Sequence, residues 1–284
     1  MNSPEYLEAV RSHLSHLEGE SCYNDFWITY TDTSHFNWYI EPVAVYHQIK
    51  GASILDVGSG TGGLLLECLE MGAKHLVGIE VEPDLHQLAQ IRTKDTPIQT
   101  LLTDGRRIPL ADESFDVIFS VHVIEHTISP GEYIGELARL LKHGGAILLS
   151  CPNRLYPHEP HSNVPFIPWL PISLSRRLCK QVAASAPPDI KQQLEITKCF
   201  NHFISPFYIK RLARNAGLRV LEMNKKVSKR DSVPCGAVGL KYGSFEKAAN
   251  LWNKLAARGL ASSRFFRRLP WFFSWEVFAV LGKN

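Results

Sequence analysis

The sequence lacks the features that mark membrane-spanning, disulfide-bonded or nucleic-acid-binding proteins. Its 284 residues contain no apolar run of the length, about 18 residues, that a membrane-spanning helix needs. The six cysteines are scattered and form no Cys-x-x-Cys pair, so we expect reduced thiols in a cytoplasmic protein rather than a zinc site or a disulfide framework. The net charge of only +3 gives no electrostatic reason to expect nucleic-acid binding.

A cluster of glycines at residues 54–63 is the most informative segment that is present. The segment reads Ile-Leu-Asp-Val-Gly-Ser-Gly-Thr-Gly-Gly and leads from a short apolar run into an apolar helical pattern. This order predicts a strand, a tight turn and a helix start, with Gly58, Gly60 and Gly62 allowing a ligand to approach the backbone closely. The free N–H groups at the start of the helix suit a polar ligand. The segment therefore predicts a site for a nucleotide-like cofactor.

The glycines alone do not identify that cofactor. Gly58, Gly60 and Gly63 also satisfy the dinucleotide pattern G-x-G-x-x-G, which is weak by itself. Asp56 lies two residues before the first glycine, where a carboxylate suits a ligand with a positive group and would be unfavourable beside a pyrophosphate. An NAD-dependent oxidoreductase therefore stays open as one hypothesis.

Polar residues follow several of the later apolar runs. Glu80 ends the second run, Asp104 and Gly105 follow the third, and Ser120 ends the fourth. Strands that alternate with helices predict an α/β, doubly wound and mostly parallel sheet with right-handed crossovers. Ligands bind at the carboxyl ends of such strands, so we expect these residues to contact the cofactor rather than only to cap turns.

In these residues the sequence resembles the class I S-adenosylmethionine (SAM)-dependent methyltransferases, most closely those of quinone biosynthesis. The resemblance covers roughly residues 40–153, with a weaker similarity at 205–225. It implies a Rossmann-like sheet of seven strands in the order 3-2-1-4-5-7-6, with an antiparallel last strand. It also implies that the glycine turn holds the methionine part of SAM, that Glu80 binds the ribose hydroxyls and that Asp104 binds the adenine amino group. The motif residues are Asp56, Gly58, Gly60, Gly62, Glu80, Asp104 and the Phe-Asp-Val run at 115–117.

The chain divides into four regions on this interpretation. Residues 1–50 form a helical and aromatic cover, and residues 51–153 form the SAM-binding core. Residues 154–204 lack clear periodicity and are rich in proline, which predicts a substrate-binding insertion over the cleft. Residues 205–284 complete the sheet with a helix from 206, a strand near 218–225, a helix near 244–259 and a last strand at 275–281.

Three histidines are candidate bases for removing a proton from the acceptor. His126 follows the fourth strand, and His158 and His161 follow the fifth. In the quinone O-methyltransferases that His126 segment carries a carboxylate-x-x-Glu-His pattern that binds a divalent cation. His122 stands here where that pattern has its first carboxylate. A His-Glu-His set can bind a transition metal but suits Mg²⁺ poorly, so we assign no metal site to His122, Glu125 and His126 and leave transition-metal binding as an alternative.

The sequence thus predicts methyl transfer to a small-molecule, glycan or lipid-linked acceptor, most simply at oxygen. Residues 264–275 combine three arginines with six aromatics, which predicts peripheral contact with a membrane surface. No Asp/Asn-Pro-Pro-Tyr/Phe motif follows the fourth strand, which argues against methylation of DNA bases. A non-catalytic SAM-binding partner subunit is a further hypothesis, beside the NAD-dependent oxidoreductase. The pattern does not predict an oligomeric state.

Overall fold

Each short apolar run of the core region forms a strand of one seven-stranded sheet. The computed structural model describes residues 2–20, 23–105, 107–156, 166–184, 200–223 and 276–284. The sheet has the order β3-β2-β1-β4-β5-β7-β6, and only β7 runs antiparallel to its neighbours. The predicted fold class and strand order are therefore confirmed. The strands are β1 (Ser53–Val57), β2 (His75–Glu80), β3 (Gln99–Leu102), β4 (Phe115–Val121), β5 (Leu141–Pro152), β6 (Leu218–Met223) and β7 (Glu276–Lys283).

The helices begin and end at residues suited to those positions. Ser3 and Ser205 each accept a hydrogen bond from a backbone N–H of the helix that follows, and a proline occupies the first helical position of both. Gly217, at φ +73°, follows the last helix of this set. The helices are α1 (Pro4–His13), α2 (Tyr23–Thr31), α3 (Asn37–Ala44), α4 (Gly63–Glu70), α5 (Pro83–Thr93), α6 (Pro130–Leu140), α7 (Ile172–Ala183) and α8 (Pro206–Asn215).

The sheet is buried on both faces because its central strands are apolar at successive positions. In β1, Leu55 and Val57 pack with α6 and α8 on one face, whereas Ile54 packs with α3 and α4 on the other. All three side chains are at most 6% exposed. Near-continuous apolar strands of this kind are typical of parallel sheets covered by helices on both sides. This arrangement leaves the strand ends as the places for polar chemistry.

The N-terminal cover is fastened to the core by an arginine. The guanidinium of Arg92 donates to Thr61 Oγ1 at 2.9 Å and to Asn2 Oδ1 at 3.0 Å, and it lies 4.8 Å from the ring centroid of Tyr6. The Tyr6 hydroxyl in turn donates to the carbonyl of Tyr30 at 2.7 Å. The cover is therefore held against the residues that form the glycine turn.

The aromatic side chains of the cover pack largely against one another and against the sheet. Tyr23, Phe26, Trp27 and Tyr30 surround a small apolar cluster built from α1 and α5. Tyr39 stacks on Phe278 of β7, with ring centroids 5.5 Å apart. Tyr30 is also close enough to Glu80 for that carboxylate to raise the Tyr30 pKa, after the larger effects of burial and of Tyr6. We conclude that the cover reaches the edge of the sheet where the cofactor is expected.

Two elements add to the sequence analysis. Strand β5 begins at Leu141, which pairs with Phe115 across a bulge in the sheet. Within the predicted insertion at 154–204, whose sequence shows no clear periodicity over its whole length, residues 172–183 form α7. Among the described side chains of α7, the fully buried ones are the small Ser175 and Cys179, four residues apart on one face of the helix.

Thiols and membrane helices can be assessed only where the chain is described. Cys68, Cys151 and Cys179 are buried free thiols, and the other three cysteines lie outside the described residues. None of the helices in the described ranges is long and apolar enough to cross a membrane. The predicted helix at 244–259 and the basic aromatic segment at 264–275 also lie outside the described residues.

Candidate cofactor and acceptor sites

The glycine turn after β1 is held in a conformation that favours glycine. The backbone N–H groups of Gly58 and Ser59 both donate to the carbonyl of Ile79, at 2.8 and 2.9 Å. Gly58 has φ +74°, and a Cβ on it would lie 2.4 Å from Val123 Cγ2. Gly60 has φ +52°, but a Cβ there would meet nothing within 4 Å. The turn therefore needs glycine at 58 for packing and leaves open space at 60 for a ligand.

Glu80 fixes this turn from the neighbouring strand. Its Oε2 accepts a hydrogen bond from the Gly60 N–H at 2.8 Å, and its Oε1 accepts from the N–H groups of Val81 and Glu82 at 2.7 and 3.0 Å. The side chain is buried. A carboxylate has about four acceptor positions, so these three bonds leave about one for a ligand hydroxyl. The role of Glu80 in binding ribose thus stays a prediction. The structure adds a second role, because Glu80 also holds the glycine turn in place.

Asp56 is a buried carboxyl at the end of β1 and accepts no hydrogen bond from the described residues. Burial, and to a smaller extent the charge of Glu80, together raise the pKa of Asp56 to about 8. A cationic group placed beside it would favour the ionised form and lower that pKa. The carboxyl is therefore suited to a ligand that brings a positive charge.

Asp104 and Gly105 lie at the end of β3, as the sequence predicts. Both are exposed, and Gly105 has φ +71°. The sequence interpretation missed two apolar neighbours, Val81 and Leu102, each 49% exposed at the same edge. Exposed aliphatic side chains beside two carboxylates offer a surface on which a flat heterocycle can stack. The sequence does contain a signal for these two residues, because Val81 directly follows Glu80 and Leu102 lies shortly before Asp104.

Ser120 belongs to the core rather than to an open surface. Its side chain is fully buried, and its hydroxyl lies 2.7 Å from the hydroxyl of Tyr133 on α6. The predicted cofactor contact through this side chain is therefore not supported, because the hydroxyl is already paired. Only the backbone of Ser120 stays available for the predicted role.

Beyond β4, His122 lies between two buried carboxylates. Its Nε2 lies 3.0 Å from Glu276 Oε1, and its Nδ1 lies 3.4 Å from Glu125 Oε1. Burial lowers the pKa of His122, but the two carboxylates outweigh burial and raise that pKa to about 10. We infer an imidazolium between two carboxylates at neutral pH. The two carboxylates are buried and the His122 side chain is 25% exposed; we name these three residues the buried ion triad.

The buried ion triad joins distant parts of the chain. Glu276 begins β7 and also accepts a hydrogen bond from the Ser150 hydroxyl on β5. His122 has φ +56°, an unusual backbone conformation for a residue other than glycine. No group of three or more His, Cys, Asp or Glu side chains in the described ranges is arranged to hold a metal ion. The sequence pattern around His122 and Glu125 does not point to Glu276, because Glu276 follows Glu125 by 151 residues.

His126 is the one candidate base that the structure describes. It is half-buried, and its ring meets the edge of Phe200 with centroids 5.0 Å apart. Its backbone carbonyl accepts a hydrogen bond from Asn201 Nδ2 at 2.5 Å. His158 and His161 lie outside the described residues, so their predicted roles stay predictions.

The segment 200–205 ties the insertion to the ends of two strands. The N–H groups of Asn201 and His202 donate to the carbonyl of Glu125 at 2.7 and 3.0 Å. The N–H of Arg154, two residues after the end of β5, donates to the carbonyl of Ile204 at 2.7 Å. The insertion therefore contacts the sheet next to β4 and β5, where the resemblance expects the acceptor.

Comparison with known proteins matches this architecture. Residues 55–149 match a family model described as a methyltransferase domain. An uncharacterized protein of Mycobacterium tuberculosis is 30% identical over 167 residues, covering 56% of this chain and 55% of that protein. A ubiquinone biosynthesis O-methyltransferase of Xanthomonas euvesicatoria is 33% identical over 118 residues, covering 40% of this chain and 49% of that protein. The chain thus spans about half the length of the curated relatives it matches.

Solved structures show the same fold at low sequence identity. A putative sarcosine dimethylglycine methyltransferase from Galdieria sulphuraria has a TM-score of 0.55 at 18% identity, covering 88% of this chain and 84% of its own. The [4+2]-cyclase SpnF has a TM-score of 0.54 at 16% identity, covering 89% and 80%. Because one of these neighbours is named as a cyclase, the fold is compatible with more than one reaction.

Proposed function

We propose that this chain, a class I SAM-dependent methyltransferase by its domain at residues 55–149, methylates an oxygen atom of a small-molecule, glycan or lipid-linked acceptor. The observation that carries the proposal is the meeting of Asp56, the open turn at Gly60 and Glu80 at the ends of two adjacent strands. The similarity to O-methyltransferases of quinone biosynthesis supports oxygen as the methylated atom.

The residues at this edge fit SAM. The open space at Gly60 admits a ligand against the backbone, and Asp56 offers a buried carboxyl to a positive group. Val81 and Leu102 offer exposed apolar surface beside Asp104, which suits adenine. When bound, SAM supplies an activated methyl group on a sulfonium, so the protein has only to orient the acceptor and accept its proton.

On the protein's side, the reaction needs a base at the acceptor oxygen. The acceptor oxygen would take the methyl group that SAM supplies, and the proton of the acceptor hydroxyl would pass to the base. We assign this role to His126 or to one of His158 and His161, since imidazole exchanges protons near neutral pH. His122 is unsuited to the role because its raised pKa keeps it protonated.

Calorimetric titration with S-adenosylhomocysteine tests the cofactor assignment, with NAD as the competing ligand. Glu80→Ala is expected to abolish binding, because it removes the bonds that shape the turn as well as the ribose contact. Asp104→Ala is a milder test and should weaken binding by about tenfold, the value of one hydrogen bond to a charged group. Asp95→Ala removes another exposed carboxylate and should change nothing.

Binding of NAD in preference to the homocysteine nucleoside would overturn the proposal. If the nucleoside binds, transfer of a labelled methyl group to quinone, glycan and lipid acceptors tests the reaction itself. His126→Asn should then retain nucleoside binding and lose turnover if His126 is the base. The control is His143→Asn, which changes an exposed histidine near the start of β5. Binding without transfer to any of these acceptors would favour a non-catalytic partner subunit.

A further inference from the structure

A cavity of about 650 Å³ lies beside the segment that joins the insertion to the sheet. Its walls come from residue 154 after β5, from the start of α7 and from the start of α8. The wall residues that matter here are Arg154, Leu170, His202, Phe207, Tyr208 and Arg211. This space is large enough for a small organic ligand. We name it the arginine cavity.

The two arginines of this cavity carry charges that no carboxylate neutralises within the described part of the chain. Arg154 uses only its backbone N–H, and the Arg211 guanidinium lies 4.9 Å from the ring centroid of Tyr208. By contrast, Arg139 on α6 pairs with both Glu136 and Asp112. None of the described residues that line the cavity is acidic. The described part of the cavity wall is therefore electropositive.

The walls of the arginine cavity are also partly apolar. Phe207 is 58% exposed although it is a large aromatic side chain, and Leu170 and Phe203 line the same space. An exposed phenylalanine beside two unneutralised guanidinium groups suits a ligand with a negative end and an apolar end. Arginine in particular matches the planar geometry of carboxylate and phosphate oxygens.

The position of the cavity connects it to the proposed reaction. Its floor includes Asn201 and His202, whose N–H groups bind the carbonyl of Glu125 beyond β4. Arg154 lies two residues after the end of β5, and its backbone N–H donates to the carbonyl of Ile204. The cavity thus lies next to the ends of β4 and β5, where we expect the acceptor. In the sheet, these two strands lie on the opposite side of β1 from β2 and β3.

We infer that the arginine cavity binds an oxyanion, a phosphate or a carboxylate, carried by an acceptor whose adjoining part is apolar. This inference rests on the proposed methyl transfer and names the class of its substrate. Arg154 and Arg211 bind the oxyanion, and Phe207 contacts the apolar part. The acceptor is then an amphipathic anion rather than a neutral sugar or quinone.

Titration of the whole chain with small probes tests this inference. The probes are phenyl phosphate, benzoate and benzyl alcohol, each measured by calorimetry in low salt with S-adenosylhomocysteine present. At least one of the two anions should bind, and benzyl alcohol should bind at least about tenfold more weakly, because it lacks the charge-assisted bonds. Tighter binding of phenyl phosphate than of benzoate identifies a phosphate acceptor, and the reverse identifies a carboxylate.

Matched variants locate the binding. Arg154→Gln and Arg211→Gln should each weaken the anion by about tenfold, whereas Arg214→Gln, an exposed arginine of α8 outside the cavity wall, should not. Phe207→Ser should reduce the advantage of phenyl phosphate over inorganic phosphate. Thermal melts and nucleoside titration of each variant show whether it still folds.

The outcomes separate the two proposals. If the wild-type chain binds the nucleoside but neither anion, or if Arg214→Gln weakens the anion as much as the cavity variants do, the arginine cavity is not an acceptor site. If the nucleoside itself fails to bind, the proposed methyl transfer fails. Anion binding that the cavity variants weaken in that case describes an anion site unrelated to methylation, and it also overturns this inference.

Discussion

The two halves of the strand-end edge are built in different ways. The cofactor half, at the ends of β1, β2 and β3, is made from neighbours in sequence, since Asp56, Gly60 and Glu80 lie within 25 residues by their numbers. The acceptor half, at the ends of β4 and β5, brings together His122, Arg154 and residues as distant as Glu276. Local hydrogen bonds shape the first half, and long-range ion pairs and packing shape the second. We therefore expect substitutions to affect the two halves separately.

Gly58→Ala should have the largest effect, and it acts on the cofactor half. A Cβ at φ +74° costs about 1–2 kcal/mol by strain. The contact with Val123 adds roughly 1–3 kcal/mol by overpacking. We expect chemical denaturation to show a loss of about 2–5 kcal/mol in the free energy of unfolding, together with loss of nucleoside binding.

The control for this change is a glycine in open space. Gly135 lies within α6, and a Cβ on it meets nothing within 4 Å. Gly135→Ala should stabilise the protein by up to about 1 kcal/mol, because alanine favours the helix. A Gly58→Ala protein as stable as the wild type would show that the turn relaxes more easily than its geometry indicates.

Glu276→Gln breaks the buried ion triad and should mainly affect the acceptor half. Removing one partner from a buried ion pair costs about 3–5 kcal/mol. Glu125 still faces His122, so we expect a loss nearer the lower value. The pKa of His122 should fall from about 10 in the wild type, as an NMR titration would show.

The pH dependence of this variant gives a second measurement. Because the pKa of His122 is raised in the folded state, its stabilisation is present below the ordinary value of about 6.5 and is lost as the pH rises toward about 10. Glu276→Gln should reduce that loss. Glu132→Gln, an exposed change on α6, is the control. A large drop in nucleoside affinity in Glu276→Gln would show that the two halves are coupled.

This difference between the halves also explains what the sequence predicts and what it does not. The strand order and the glycine turn follow from apolar runs, glycines and strand-end acids that are close together in the chain. No local pattern marks Glu276 or Arg211, and Glu276 acquires its role only when β7 pairs between β5 and β6. The helical spacing of Ile172, Leu178 and Cys179 does indicate α7, a signal that the sequence interpretation missed.

Asp56→Asn sharpens the comparison by changing charge within the cofactor half alone. The folded-state pKa of Asp56 is raised to about 8, so ionisation of Asp56 destabilises the ligand-free protein as the pH rises from about 4 to 8. The limiting slope is about 1.4 kcal/mol per pH unit. Denaturation across this range should show a smaller decline in stability for Asp56→Asn than for the wild type.

The same substitution should weaken SAM, because we expect its sulfonium to be the positive group beside the buried carboxylate of Asp56. In the wild type, SAM binding should release a proton near pH 7 and strengthen as the pH approaches 8. Asp56→Asn should lose that pH dependence, whereas S-adenosylhomocysteine, which has no sulfonium, should show a smaller change. Equal effects on both ligands would mean that Asp56 does not respond to the sulfonium charge.

Tyr133→Phe should have the smallest effect. It tests whether Ser120, on β4 next to the cofactor half, has only a structural role. It leaves the buried Ser120 hydroxyl without its partner at 2.7 Å, which costs about 1–3 kcal/mol. Because that hydroxyl is fully buried and paired in the core, we expect nucleoside affinity to change by less than about twofold. For comparison, a tenfold change in affinity corresponds to about 1.4 kcal/mol. Replacing both partners, in Ser120→Ala with Tyr133→Phe, should recover part of the lost stability, since no unpaired hydroxyl is left. A tenfold fall in nucleoside affinity in either variant would instead make Ser120 part of the cofactor site and move the boundary from β1 to β4.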